Sequence, residues 1–431
     1  MGTLASIRQF PVSIASGSRY LQVGSGTPWL VRGDTPWYLA RLTTPNIDAY
    51  LSDRQSRGIN TVIIQSTISD IATNDAGDVN FNSNYGGGSD NLTTPNTAWY
   101  NNVAYACQAA ASRNMLVFLF PLYLGFGGGA EGHYASLSAG GSADAQSYGE
   151  FFGDRFKSFS NLVIVLGGDY VPSAAGLSLV KNMVDGIKAT GRSDWVYSYH
   201  GGPNENSYAV DGVTAGWIAS LGVPFMHWAY GYEAGFGNIF AHQQVQDCYG
   251  QSPTRPCYFG EGHYENSASA NADSKLLRRQ AWSAVLSGGF GKFYGHESVW
   301  RLAAGYTASL NDTGVQHEVI CDAFYASREW WKLVPSTGAG LVSAGGGTVG
   351  TAGYKPRALA SDGSWGAVHV TDGSSTTLDF SGFNDTKTVK WFDPTNAAIS
   401  TVGTHANSGT QAYTTTGNNA AGSNDWVLVV E

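Results

Sequence analysis

The chain has 431 residues and a formal charge of −9, from 24 Lys+Arg against 33 Asp+Glu. Charged residues make up only 13%, against roughly 25% in an average soluble domain, and aromatics supply another 13%. A hydrophobic content of 42% excludes a disordered chain, the acidic balance without a basic run excludes a phosphate-tracking nucleic-acid binder, and no apolar run nears the roughly 18–20 residues of a membrane span.

Met1 to Ser18 lacks a basic start followed by an apolar stretch, so no signal peptide is visible. Few charges with much Gly, Ser, Thr and Asn favour a secreted or periplasmic setting by composition, and the compartment stays open. Residues 1–20 read as an N-terminal extension that either adds a strand to the C-terminal region or caps a barrel floor. From about residue 20, eight short apolar runs alternate with longer amphipathic segments. The runs are Trp29–Asp34, Asn60–Gln65, Met115–Leu124, Leu162–Asp169, Trp195–His200, Pro224–Tyr232, Cys257–Tyr264 and Gly289–Gly295. Several are continuously hydrophobic, as parallel strands buried on both faces are. Between them Thr44–Gly58, Tyr148–Phe159, Ser274–Ser287 and Val315–Lys332 read as helices. Eight strands with intervening helices predict an α/β fold, a (β/α)8 TIM barrel over residues 21–335.

After Pro335 the text changes. Gly345, Gly346 and Gly347 open a series of short runs: Arg357–Ala360, Trp365–Val370, Thr376–Phe380, Thr388–Phe392 and Trp426–Val430. Their spacing predicts a small antiparallel β-sandwich over 336–431, read as an accessory or packing domain. Of the four cysteines, Cys248 and Cys257 bracket a short Pro-containing segment; a small disulfide loop and two free thiols both fit that spacing.

A TIM barrel carries its active site at the C-terminal ends of its strands, so the strand tips matter most. They present Asp34, Gln65, Tyr123, Asp169, His200, the His227–Glu233 stretch, Glu261 to Glu265, and Tyr294 to Trp300. Five histidines (His133, His200, His227, His263 and His296) are expected to converge on this rim. Asp169 and Glu261 each follow a glycine at the tip of an apolar run, on strands four and seven. Two acids facing each other across a sugar are the requirement of glycoside hydrolysis: one protonates the leaving oxygen, the other acts ionised as nucleophile or base. The plainer roles are a helix cap for Asp169 and an Arg partner for Glu261. Other signals are weaker. Gly127, Gly129 and Gly132 spell G-x-G-x-x-G on the wrong strand for a dinucleotide and read as a loop over the site. Metal ligation by His263 with Glu265, or His296 with Glu297, has no supporting spacing. No cofactor is expected.

At these residues the chain resembles the apiosidase-like family of glycoside hydrolases, glycoside hydrolase family 140 and its relatives. The resemblance rests on G-D-T-P-W at Gly33–Trp37, the stretch Leu42–Asn60, N-L-V-I-V-L-G-G-D at Asn161–Asp169, G-E-G-H-Y-E at Gly260–Glu265, Arg278–Gly289, and Y-G-H-E-S-V-W at Tyr294–Trp300. The end of the chain, with W-F-D-P-T-N and D-W-V-L-V-V, looks like the small β-domain that often follows this barrel. The resemblance implies a (β/α)8 glycosidase whose acids after strands four and seven, here Asp169 and Glu261, are catalytic. Two departures stand out: G-G-D replaces the Asn-Glu of the wider clan at strand four, and His296, Glu297, Ser298 stand where the family usually reads H-N-S.

The expected function is hydrolysis of O-glycosidic bonds in a plant or microbial polysaccharide, retaining, with Glu261 as nucleophile and Asp169 as general acid/base. Expected substrate contacts are Asp34, His200, Trp228, Tyr230, His263, Tyr294, His296 and Trp300. The expected partner is an oligo- or polysaccharide, without nucleic acid or membrane, in an open oligomeric state. The alternatives are a non-catalytic carbohydrate-binding barrel and a metal-dependent hydrolase.

Overall fold

The computed structural model describes residues 10–24, 26–233, 237–268, 272–337, 340–415 and 417–431. Its centre is an eight-stranded parallel sheet: β1 (Val31–Asp34), β2 (Thr61–Gln65), β3 (Leu116–Phe120), β4 (Leu162–Gly167), β5 (Val196–His200), β6 (His227–Tyr230), β7 (Cys257–Glu261) and β8 (Gly291–Tyr294). The ladder runs β5-β4-β3-β2-β1-β8-β7-β6. A parallel bridge between Tyr197 and Phe225 joins β5 to the chain entering β6, which closes the barrel. β2, β3, β4, β5 and β7 are buried at every position, which in β3 and β4 is the physical counterpart of an unbroken apolar run. Inside the barrel, Phe118 of β3 meets Tyr258 of β7 at 5.1 Å and Phe293 of β8 at 5.0 Å. This aromatic layer fills the middle of the barrel.

Helices wrap the barrel at the four segments expected to be helical and at further ones besides. α1 (Thr44–Ser56), α2 (Thr97–Ser112), α3 (Tyr134–Phe156) and α4 (Ala174–Ala189) follow the first four strands. α3 starts earlier than the expected Tyr148, because Gly141 takes φ 67° and kinks the helix without ending it. α5 (Ala241–Tyr249), α6 (Ser274–Leu286) and α7 (Thr313–Ala326) complete the longer helices; α7 stops short of the expected Lys332.

Residues 1–9 of the expected N-terminal extension lie outside the described residues. The rest starts a three-stranded antiparallel meander, Val12–Ser13, Leu21–Val23 and Thr27–Trp29. Trp29 Nε1 donates to Thr61 Oγ1 at the start of β2 (3.3 Å), so the meander covers the barrel floor.

Two antiparallel sheets follow. The larger runs Leu333–Pro335, Arg357–Ala360, Gly366–Val370, Trp426–Val430, Lys387–Phe392, Ile399–His405; the smaller runs Val342–Ala344, Thr376–Asp379, Thr410–Tyr413. Val342, Leu378 and Tyr413 from one sheet share a core with Val368, Val389 and Leu428 from the other. The larger sheet turns its other face to the barrel: Phe392 packs on Trp282 of α6 (5.7 Å) and Phe324 of α7 (4.9 Å). The first strand, Leu333–Pro335, falls in the segment read as the end of the barrel but pairs with Arg357–Ala360. All four cysteines are buried free thiols. Among the described residues no helix is long and apolar enough to cross a membrane.

Candidate active site

β4 ends in three consecutive residues of positive φ: Gly167 at 79°, Gly168 at 122° and Asp169 at 52°. A Cβ on Gly168 would lie 2.4 Å from the Tyr123 ring and 2.9 Å from Leu124 N, so only glycine passes there. The turn swings Asp169 over the mouth, where its Oδ2 accepts a hydrogen bond from Tyr123 Oη (2.7 Å). A non-glycine residue in this region stores backbone strain, which the packed tip holds in place. Across the mouth, a Cβ on Gly260 would sit 2.3 Å from the Trp228 indole. Glycine there lets β7 close on Trp228, with Glu261 following at its tip. Glu261 Oε1 accepts from Tyr264 Oη (2.8 Å), and Tyr264 Oη accepts from Trp37 Nε1 (2.6 Å).

His200, at the end of β5, stands between the two acids. Its Nε2 is 3.0 Å from Glu261 Oε2 and 3.4 Å from Asp169 Oδ1. Its ring stacks on Trp228 (4.3 Å, 25°) and more distantly on Trp37 (5.8 Å, 22°). Burial lowers the His200 imidazole to about 4, so it is neutral at pH 7. Burial also pushes Glu261 up to about 8, and burial together with the Glu261 charge pushes Asp169 up to about 6. Neither acid has a Lys or Arg in ion-pair contact among the described residues. The facing ligand atoms of Asp169, His200 and Glu261 lie within 4.8 Å of one another, which also makes them a group able to hold a metal ion.

The two acids open onto a cavity of ≈ 220 Å³ walled by Trp37, Tyr38, Tyr123, Tyr230, Tyr232, Tyr264 and Trp300, with Gln65, Phe126, Glu131, Glu297 and Arg301 around them. Flat rings with polar edges suit a sugar's faces and hydroxyls. Of the residues expected here, Asp169, Glu261, Tyr230 and Trp300 line the cavity, and His200 supports the acids from beneath. The others stand elsewhere. Trp228 is fully buried as the platform under His200. Asp34 is buried against Arg54 and accepts from Tyr50 Oη (2.6 Å), tying α1 to β1. Tyr294 donates to Glu265, whose other oxygen takes Gly314 N (2.7 Å) at the head of α7. His263 packs edge-on to Tyr232 (4.8 Å), and His296 Nε2 meets Asp312 Oδ2 (2.9 Å). Of the five expected histidines only His200 reaches the acids; His133, His263 and His296 stand on loops past strand ends, and His227 lies at the far end of its strand. His227 opens β6 and stacks on Tyr208 (4.0 Å), and His133 anchors a loop through Asp90 (3.1 Å). The sequence reading missed Trp37, Tyr38, Phe126, Glu131, Tyr232, Tyr264 and Arg301 as cavity residues. Their one signal was position: Trp37, Tyr232 and Tyr264 each lie within three residues of a strand end.

Residues 15–342 match the family model described as "Apiosidase-like, catalytic domain". This chain belongs to the apiosidase-like family. It is a glycosidase. The apiosidase-like enzyme also matches, over residues 351–431, a model whose description names a collagen-binding domain of a collagenase. Among solved structures it resembles a protein titled glycoside hydrolase, at TM-score 0.81 and 19% identity, covering 98% of this chain and 97% of that one. A glycoside hydrolase family 5 protein from Bacteroides vulgatus follows at TM-score 0.80 and 16% identity, covering 97% and 93%. A family 5 mannosidase from Rhizomucor miehei overlays at TM-score 0.51 and 12% identity, covering 74% and 98%. At these identities the likeness is one of fold. No curated protein matches the sequence at a significant level.

Proposed function

We propose that this enzyme hydrolyses O-glycosidic bonds of a plant or microbial polysaccharide with retention, using Glu261 as nucleophile and Asp169 as general acid/base. The carrying observation is the spacing: an oxygen of each acid lies within 4.8 Å of the other, and both open on one aromatic cavity. Retaining pairs sit about 5–5.5 Å apart, whereas inverting pairs leave roughly 6.5–9.5 Å for a water. Asp169 donates its proton to the departing oxygen as Glu261 attacks the anomeric carbon. A glycosyl–Glu261 ester forms; Asp169, now ionised, takes a proton from water, which attacks the same carbon and frees Glu261.

Two acids this close share one proton near neutral pH. Its position follows from access to solvent. Glu261 receives Tyr264 Oη at Oε1, while its Oε2 faces neutral His200 Nε2 at 3.0 Å without a hydrogen bond. Asp169 likewise receives Tyr123 at Oδ2 and has no hydrogen bond at Oδ1, the atom assigned the proton. Asp169 also keeps more contact with solvent, 15% of its side chain against 8% for Glu261. One observation favours the reverse assignment: burial alone raises Glu261 further than Asp169. We read residues 21–335 as the catalytic unit and 336–431 as an accessory unit.

The test is a glycan panel, with proton NMR of the anomeric product on any substrate cleaved. The proposal expects retention, and loss of cleavage in both Asp169→Asn and Glu261→Gln. Near wild-type turnover in both variants would sink it.

A further inference from the structure

A second cavity lies at the opposite end of the barrel. It measures ≈ 380 Å³ and runs between the segment Ala15–Tyr20, the end of α5 at Tyr249, the chain entering β8, and Trp330–Val334 at the start of the larger antiparallel sheet. We propose that it is a saccharide-binding site, separate from the catalytic mouth, that takes acidic oligosaccharide chains on Trp331 and Arg19.

Trp331 is 36% exposed, unusual for an indole. It is not loose: its ring stands edge-on to Trp330 (6.0 Å, 89°), which is buried and edge-on to Tyr20 (5.8 Å). An open aromatic face held in place is what stacking on a sugar ring requires. Arg19 supplies the charge. Its guanidinium carbon lies 3.6 Å over the Tyr249 ring, and its Nη1 donates to Tyr249 O (2.7 Å). Gly288 makes room for this arrangement, since a Cβ there would lie 2.2 Å from the Tyr249 ring.

No carboxylate lies within ion-pair distance of Arg19 among the described residues, which include every Asp and Glu of the chain. Lys332 in the same cavity is different: its Nζ contacts Glu329 (2.8 Å) and Asp362 (2.7 Å). The cavity thus presents one fixed, uncompensated positive charge beside an aromatic platform. Ser16 and Ser361 add hydroxyls along the wall, while that of Ser18 is taken up by the Tyr20 backbone. A ring to stack, hydroxyls to bond and a carboxylate for a guanidinium define a uronate-bearing glycan. The site is at the ends of the strands opposite Asp169 and Glu261, so it anchors a chain without taking part in bond cleavage.

The experiment uses the full chain carrying Glu261→Gln, to prevent turnover, titrated calorimetrically with hexameric oligogalacturonate and with neutral cellohexaose. The expected result is oligogalacturonate binding that falls at least tenfold with Trp331→Ala or with Arg19→Gln, and returns with Trp331→Tyr. Cellohexaose should bind at least tenfold more weakly. In the otherwise wild-type chain, Trp331→Ala and Arg19→Gln should leave cleavage of a small aryl glycoside unchanged, which also shows that both variants fold. Absent oligogalacturonate binding, binding that both substitutions leave within twofold, or equal affinity for cellohexaose would overturn the proposal. Each of those outcomes leaves the assignment at the mouth untouched.

Discussion

At the barrel mouth, Asp169 and Glu261 face each other across a neutral histidine; at the seam between barrel and antiparallel sheets, Asp425 faces Arg278. Both regions bury carboxylates, with opposite electrostatic results. Arg278 grips Asp425 through two hydrogen bonds, Nε to Oδ2 (2.9 Å) and Nη2 to Oδ1 (2.8 Å), and both side chains are 1% exposed. His369 and Asn419 add to the same carboxylate, at 3.6 Å and 3.0 Å. These partners outweigh burial and hold Asp425 well below the usual carboxylate range. At the mouth no cation answers, and burial drives both acids upward. A paired buried acid joins structures; an unpaired one is held ready to exchange a proton.

The comparison breaks first on activity. Asp169→Asn and Glu261→Gln should each lower kcat by roughly 10²–10⁴-fold or more, while Asp425→Asn leaves the kcat of folded enzyme near wild type. Steady-state assays on one cleaved glycan check all three.

Stability should separate the regions in the other direction. Arg278→Ala strands Asp425 in the seam and should destabilise by about 3–5 kcal/mol, read from denaturant unfolding. The pH dependence carries the sign. Asp425 has a depressed pKa, so its contribution is present above the unfolded value and is lost as pH falls through the folded one. Asp169 and Glu261 have raised pKa values, so their contribution is full below the unfolded values and is lost as pH rises through about 6 and about 8. Glu261→Gln should therefore raise the melting temperature relative to wild type more at pH 9 than at pH 4.

The proton shared at the mouth should appear in the rate profile. kcat/KM is expected to be bell-shaped, with limbs near about 6 and about 8 that belong to the pair rather than to either acid. His200→Phe keeps a ring on Trp228 but removes the donor facing Glu261. Losing this polar contact beside Glu261 should lower kcat roughly 10-fold and move the acid limb upward. A lower rate with an unmoved limb would make His200 a packing residue only.

The smallest effect belongs to the wall. Trp300→Ala should raise KM about 3–10-fold with little change in kcat, as expected for about 0.5–1.5 kcal/mol of ring contact.

Much of this architecture is legible in the sequence for a local reason. Leu116–Phe120 and Leu162–Gly167 are buried at every position, so their apolar runs mark the strands unaided. The glycines before Asp169 and Glu261 are visible too, although the rings that require them, Tyr123 and Trp228, come from other strands. The fate of the other polar residues is not local. Asp34 reads like a strand-tip acid until Arg54 arrives from α1, and His296 until Asp312 arrives from the segment before α7. The strand Ile399–His405 escaped notice because it is an edge strand exposed along most of its length, with no alternation to betray it. The two acids of the mouth stand out because, among the described residues, no distant Lys or Arg claims them.

The most direct test of that mouth is azide rescue of Glu261→Ala and Asp169→Ala on an aryl glycoside that the wild-type enzyme cleaves. With Glu261 as nucleophile, azide should restore turnover in Glu261→Ala and give a glycosyl azide of inverted anomeric configuration. In Asp169→Ala it should give the azide of retained configuration. The opposite pairing of products, or no rescue in either variant, would contradict the account.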